Sequence, residues 1–344
     1  MLTVPTRGTA PATRLRRATG PVGWWAAVAL GATVAGVLLA AAADGTLPGA
    51  TAVAVTVSRT AMDVAGVVVV GLALLEVLLP PGDRRAAPVL AQTGRTALVT
   101  AGAWLVAVLL AIVFGAADAF ARPVTAVEPA QLVTWATRLG AGQGMLLVAC
   151  ATVLVVGCTV VRLHRPALVP PRAVLAVALF AMITPAVTGH SSAVHSYQLV
   201  AVLGVGIHVA AAAAWVGGLG AILVLVASRR GLLVAVLPRF SRLAAVCIAA
   251  VAATGVLTAA VRLPPALAHV RWEAAVQLYL ATGTGQLVVA KTAALGVIGC
   301  RGWLTRRRMA ASRVPLLLWA GYEVTLMAVA LGLAAALTRT GSGH

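Results

Sequence analysis

Long apolar runs, each of about twenty residues, recur along the whole of this chain. A run of that length, wound as a helix, spans the hydrocarbon core of a bilayer. The runs are continuous rather than alternating, so they predict helices and not the strands of a membrane barrel. Of the 344 residues, 61% are hydrophobic and 10% are charged, whereas a soluble protein needs roughly a quarter of its residues charged. The sequence therefore predicts an integral membrane protein.

The apolar runs predict an all-α, polytopic transmembrane helical bundle of about nine spans. The connections are short, and none is long enough to form a separate soluble domain. We divide the chain into a basic cytoplasmic tail at 1–21, four N-terminal transmembrane helices within 22–172 and five C-terminal ones within 173–344. The predicted spans are 22–43, 61–80, 96–117, 144–161, 173–189, 199–227, 243–261, 285–304 and 314–337.

The first span also has features of a cleaved signal peptide. Arg14 to Arg17 precede it, and the small residues Ala41 to Ala43 follow it. Its apolar run of about 21 residues is longer than the core of a usual signal peptide, which favours a retained anchor. Cleavage would leave eight spans with the same topology.

The basic residues orient the bundle, because cytoplasmic loops of membrane proteins carry an excess of Lys and Arg. The pattern predicts a multi-pass membrane protein with its N-terminus inside and its C-terminus outside. The net charge of +18, which in a soluble chain would indicate nucleic-acid binding, is thereby assigned to topology, and no nucleic-acid partner is expected. Lys291 lies within a span, most arginines fall inside, and the outer arginines are Arg59, Arg122, Arg138, Arg262, Arg271 and Arg339.

Histidine and methionine residues are the candidate metal ligands. His208 lies near the middle of the sixth span, and Trp215 follows on the same helical face. His190 and His195 lie at the outer rim of the fifth and sixth spans, with Met182 deeper in the fifth. Imidazole and thioether groups suit copper, so these residues predict a relay from rim to interior. The alternative is that His208 is a hydrogen-bonded packing residue and that the rim pair is merely solvated.

The remaining ionisable residues in the spans are candidates because charge in lipid is costly. Lys291 and Glu323 lie within the eighth and ninth spans and could meet as a charge pair near mid-membrane. Such a pair would lower the cost of two buried charges, or it would relay a proton or gate a cation path. Asp63 and Glu76 lie near opposite ends of the second span, where we expect them to reach interfacial water and to be structural.

Two of the predicted outer connections carry apolar residues at helical spacing and one tryptophan each. They are Pro129–Gly142, with Trp135, and Pro265–Thr282, with Trp272. Each is expected either to form a short helix in the membrane interface, where an indole ring is stable, or to be an ordered loop.

The sixth to eighth spans resemble the CopD copper-resistance family. The resemblance rests on His208 with the Trp215–Leu219 segment, on Arg239-Phe-Ser-Arg242 and on Thr254-Gly255, and it continues through Gly285, Lys291, Arg306–Arg308 and Glu323. It covers about 200–310 and is looser to 338, while the first four spans match only as hydrophobic helices.

This resemblance implies a non-enzymatic inner-membrane protein that moves copper toward the cytoplasm, beside a CopC-like extracytoplasmic copper-binding partner. His208 takes the place of the family's intramembrane histidine, and Lys291 and Glu323 take the places of its buried charges. Copper would be the transported ion, and the chain has no GxxxxGK[ST] nucleotide-binding sequence. Two alternatives stay open: a haem-handling membrane redox enzyme of the related superfamily, and an assembly factor for a copper oxidase.

Overall fold

The computed structural model describes residues 23–38, 49–188 and 198–261, together with Val324, Thr325 and Val329. Within these ranges the chain is built of α-helices joined by short turns, with no β-strand. The helices are α1 Gly23–Leu38, α2 Ala50–Leu78, α3 Ala87–Ala119, α4 Pro129–Arg138, α5 Gly140–His164, α6 Pro171–Thr188, α7 Gln198–Leu225 and α8 Arg230–Val261.

The predicted all-helical class is confirmed for the described residues, and their apolar helices are compatible with a membrane bundle. Five described helices are long and apolar enough to cross a bilayer, namely α2, α3, α5, most of α7 and most of α8. Helices α1 and α6 are apolar but shorter over their hydrophobic parts. The predicted spans at 285–304 and 314–337 lie outside the described residues, apart from three positions in the second, so the count of nine and the orientation remain predictions.

Several helices extend beyond the apolar runs that predict them. Helix α2 begins at Ala50, ahead of the predicted span at 61–80, and it ends where Pro80 and Pro81 follow. Helix α3 starts at Ala87 with a proline in its first turn, a position that proline tolerates because its missing N–H is not needed there. Hydropathy marks the segment suited to lipid, whereas caps and prolines set the ends of the helix.

Helix α4 confirms a helix within the predicted outer connection at Pro129–Gly142. Glu128 and Gln131 form a capping box at its start, which satisfies backbone N–H groups that have no partner inside the helix. Trp135 is buried rather than directed to lipid, and its ring packs closely on Gly115 of α3. The second predicted interfacial segment, Pro265–Thr282, lies outside the described residues.

Helix α2 is the central element of the described bundle. It packs against α3, α6 and α7, and α7 packs in turn against α8. One apolar cluster lies among α2, α3, α5 and α6, and a second lies among α2, α7 and α8. Both sides of α2 are therefore buried, one by each cluster.

Two glycines allow α2 and α7 to cross in backbone contact. A Cβ built on Gly71 would lie 2.1 Å from the carbonyl oxygen of Gly217, and one built on Gly217 would lie 2.2 Å from the carbonyl oxygen of Val67. Neither position has room for a side chain. Small residues at such crossings let membrane helices approach closely and gain van der Waals contact.

At one end of the bundle, arginine side chains link α5 and α8 to α2. Arg162, near the end of α5, pairs with Glu76, near the end of α2, and also donates to the Val169 carbonyl oxygen. Arg239 of α8 donates to the carbonyl oxygen of Leu78 at 3.1 Å. The structure differs from the expectation that Glu76 reaches interfacial water. The Glu76 side chain is only 9% exposed, and its charge is paired with Arg162.

These contacts also establish which helix ends lie together. Since the ends of α2 and α5 meet through Glu76 and Arg162, their starts at Ala50 and Gly140 lie toward the opposite end. Gly144 of α5 contacts Thr188, the last residue of α6, so α6 finishes on that side too. We call this side the predicted outer end, since the positive-inside pattern assigns it to the extracytoplasmic face.

The glycine crossing generates a stability prediction. Gly71→Ala should lower the free energy of unfolding in detergent by about 1–3 kcal/mol, as expected for overpacking, because the added methyl group meets backbone that cannot move aside. Gly102→Ala in α3 is the matched control, because none of the described residues lies within 4 Å of its new Cβ. Thermal unfolding of the two variants measures the difference, and equal midpoints would contradict the crossing.

The Glu76–Arg162 pair generates a second prediction. Arg162→Met should destabilise the protein by up to about 3 kcal/mol, the lower end for a broken buried pair, because Glu76 loses its counter-charge. The double variant Glu76→Gln, Arg162→Met should recover part of that loss, which a double-mutant cycle of denaturation midpoints measures. Arg172→Met, at an exposed arginine, is the control. Additive effects in the cycle would show that the two side chains do not interact.

Candidate functional site

His208 is a half-buried side chain within α7, ten residues after its first residue. That separation corresponds to ~15 Å of helix rise. The His208 Nδ1 atom lies 3.0 Å from the Thr254 hydroxyl oxygen on α8. The same hydroxyl donates to the carbonyl oxygen of Ala250 at 2.6 Å. The imidazole is therefore directed toward α8 and oriented by a side chain that is itself fixed on its own helix.

Trp215 lies two turns beyond His208 on the same helical face and is buried. It belongs to the apolar cluster among α2, α7 and α8, together with Phe240. Gly218, almost one turn further, lies against Phe240 and Leu74. Trp215 thus packs the α7–α8 contact on the side of His208 away from the predicted outer end.

Met182 occupies a different helix contact. A Cβ built on Gly66 of α2 would lie 2.2 Å from the Met182 sulfur and 2.9 Å from the Trp104 ring. The sulfur therefore packs between α2 and α3, whereas His208 faces Thr254 on α8. The structure places these two predicted ligands against different neighbours.

The other predicted site residues lie outside the described residues. These are the rim histidines His190 and His195 and the intramembrane charges Lys291 and Glu323. The rim relay and the Lys291–Glu323 pair therefore remain predictions.

Arg59 and Asp63 bring opposite charges to the part of α2 near the predicted outer end. They lie one helical turn apart on neighbouring positions of the same face. The Nε atom of Arg59 is buried and has no hydrogen-bond partner within the part of the chain that the structure describes.

The donor atoms of the described residues have a restricted chemistry. Among these residues, no three His, Cys, Asp or Glu side chains come together as a metal site. Two donor arrangements among the described residues are an imidazole that shares a hydrogen bond with a hydroxyl group and thioethers buried among aromatic and aliphatic side chains. Such donors suit a soft cation better than one that requires several carboxylates.

Sequence reasoning assigned no role to three residues that the structure brings into contact with candidates. Thr254 is the partner of His208, Arg162 is the partner of Glu76, and Trp104 lies against Met182. Thr254 stands out in the sequence only as part of the Thr254-Gly255 resemblance. Neither of the other two carries a local signal, because each meets its partner through the packing of distant helices.

Comparison with known proteins identifies two matching family models. The model described as copper resistance protein D matches residues 234–337. The model described as copper resistance protein D-like, N-terminal domain, matches residues 50–198. His208 and Trp215 lie between the two matched segments, whereas Thr254, Lys291 and Glu323 lie within the first of them.

No curated protein and no solved structure matches the chain. The two family matches lie in chain order, with the N-terminal model first, and together they extend from α2 into the C-terminal part. The resemblance noted from the residues is thus confirmed by whole-segment matches. The chain is a membrane protein that belongs to the copper resistance protein D family.

Proposed function

We propose that the protein mediates copper passage across the plasma membrane toward the cytoplasm, or copper resistance, through His and Met ligands within its helical bundle. The observation that supports this proposal is the half-buried imidazole of His208 in the middle of α7, oriented by Thr254 of α8. Placing an ionisable group at that depth costs free energy, which makes it a candidate for function. Imidazole is also a good copper ligand.

The Thr254 hydrogen bonds determine which imidazole nitrogen can bind a cation. A hydroxyl group has one proton, and the proton of Thr254 is directed to the Ala250 carbonyl oxygen. The His208 Nδ1 atom must then carry a proton and donate it to the Thr254 oxygen. In the neutral ring this places the lone pair on Nε2. Metal-binding histidines in proteins use this arrangement, in which the second nitrogen donates to a fixed acceptor.

The other predicted residues complete the proposed path. His190 and His195 collect the ion at the outer rim, and Met182 supplies a thioether between the rim and His208. Lys291 and Glu323 set the charge along the path, and Trp215 packs beside His208 and limits access of water. Copper is the transported ion, and the chain does no covalent chemistry.

The proposed membrane arrangement has nine spans, an inside N-terminus preceded by the basic tail at 1–21, and an outside C-terminus. The extracytoplasmic side would then receive copper, from a CopC-like binding protein. Direction follows from that arrangement, because the rim histidines lie on the side of the donor.

The hydrogen bond between Thr254 and His208 generates a prediction about affinity. Thr254→Val keeps the shape of the side chain but removes the acceptor for Nδ1–H, so copper affinity at His208 should fall about 10–100-fold, as for other partners of metal-binding histidines. Thr254→Ser keeps the hydroxyl and should bind as wild type does. Nitrogen NMR of histidine-labelled protein would report the tautomer, and an unchanged His208 signal in Thr254→Val would contradict the assignment.

A cellular measurement tests the function. Cells expressing His208→Ala should accumulate less copper than cells expressing wild type at equal membrane levels, while zinc accumulation stays the same. His164→Ala is the matched control, because His164 is exposed at the end of α5.

Three outcomes would count against copper passage. Copper accumulation unchanged in His208→Ala would remove this residue from the path. A Soret band in the purified protein would favour a haem-handling redox enzyme. Loss of copper-oxidase activity on deletion, with copper accumulation unchanged, would favour an assembly factor.

A further inference from the structure

The methionines of the described helices all belong to one apolar cluster. The chain has six methionines, and the three that lie in described residues are Met62 of α2, Met145 of α5 and Met182 of α6. All three belong to the same apolar cluster, with side chains 3%, 2% and 8% exposed. The other buried residues of this cluster are Ala and Val, together with Ile112, Trp104 and Trp135.

Trp104 of α3 lies against Met182, one member of this group of three methionines. Its ring and the Met182 sulfur are both within 3 Å of the Cβ position of Gly66, so the missing side chain of that glycine makes room for both. Met62 precedes Gly66 by one helical turn and therefore lies on the same face of α2. Met145 joins the cluster from α5, next to Gly144, where α5 meets the end of α6.

The three methionines lie in the half of the bundle near the predicted outer end. Met145 is five residues after the start of α5, Met182 is six residues before the end of α6, and Met62 is in the first half of α2. In the sequence, the rim histidine His190 follows the end of α6 by two residues. His208 lies further in along α7. In depth, the group of three methionines therefore falls between the rim and His208.

The chemistry of this group favours a soft, singly charged cation. Thioether sulfur is a neutral, polarisable donor that binds Cu(I), and a methionine side chain has enough torsional freedom to close around an ion. Three neutral donors leave a single positive charge to be stabilised. The face of an indole ring attracts a cation, more strongly than the face of Phe or Tyr does.

Trp104 provides a second observation that core packing alone does not explain. Its side chain is fully buried, yet its Nε1 atom has no hydrogen-bond partner among the described residues. A buried donor without an acceptor costs about 1–3 kcal/mol, a cost that a phenyl ring at this position would avoid. The π face of an indole ring attracts a cation more strongly than that of a phenyl ring does. This stronger attraction is what tryptophan adds at this position.

We propose that Met62, Met145 and Met182, with the ring of Trp104, form a second copper site that binds Cu(I) in the outer half of the bundle, before the ion reaches His208. This inference rests on the proposed copper function and names the oxidation state at its first intramembrane site.

The test uses the purified full-length chain in lipid nanodiscs without oxygen, with Cu(I) supplied from a coloured chelator that buffers its free concentration. X-ray absorption at the copper edge reports sulfur in the coordination shell, and chelator competition reports affinity. Wild type should show sulfur around bound copper. The triple variant Met62→Leu, Met145→Leu, Met182→Leu, whose replacements nearly conserve volume, should lose that sulfur signal and the copper associated with it.

Matched variants separate this site from other contributions. Met309→Leu with Met327→Leu removes two thioethers elsewhere in the chain and should keep the sulfur signal. His208→Ala should also keep it while losing nitrogen scattering. If the triple variant does not give a monodisperse, helical preparation, the three single variants serve instead, each with weaker Cu(I) binding.

Two results would overturn the proposal. One is a wild-type copper shell without sulfur, and the other is Cu(I) binding that is unchanged in the methionine variants, which would leave core packing as the role of these residues. The cellular measurement is independent of both. Sulfur-bound copper together with unchanged uptake in His208→Ala would reject the transport path through His208 and keep the methionine site.

Discussion

The backbone contact between Gly71 and Gly217 determines how the two parts of the described bundle are joined. Helix α2 belongs to the segment matched by the N-terminal family model, whereas α7 leads into the segment matched by the second. Because no side chain separates the helices at this crossing, their rotation about their own axes is closely limited. Apolar contacts alone would allow many rotations, since lipid and leucine are almost equally apolar.

The orientation of the candidate site follows from that crossing. Residues nine apart on an α-helix point in opposite directions, because each residue turns the helix by about 100°. Gly217 faces α2, so His208 must face away from α2, which is where Thr254 of α8 meets it. Trp215, two residues before Gly217, is turned to nearly the same side of α7 as His208, and it packs in the cluster with Phe240. A change at the glycine contact would therefore alter the position of His208 without touching it.

The class of fold could be predicted from the sequence, because continuous apolar runs in lipid have to satisfy their own backbone hydrogen bonds. Partners could not. Arg162 and Glu76 are 86 residues apart, and Thr254 lies 46 residues from His208, so their contacts depend on helix rotation and register. His208 was predicted because a histidine is conspicuous in an apolar run, whereas Met62 and Met145 resemble ordinary packing residues there. Their shared cluster distinguishes them, and a cluster exists only in three dimensions.

The arginine contacts change the meaning of the charge asymmetry that orients the chain. Arg162 pairs with Glu76, and Arg239 donates to the last carbonyl group of α2. Both arginines therefore hold neighbouring helix ends together, in addition to indicating which side of the membrane they lie on. The two roles agree because unpaired carbonyl groups at helix ends attract cations. Charge thus joins helix ends at the predicted inner end, while the donors of the described residues in the proposed copper path are thioethers and one imidazole. Conduction requires sites weak enough to release the ion, and such donors would meet that requirement better than a cage of carboxylates.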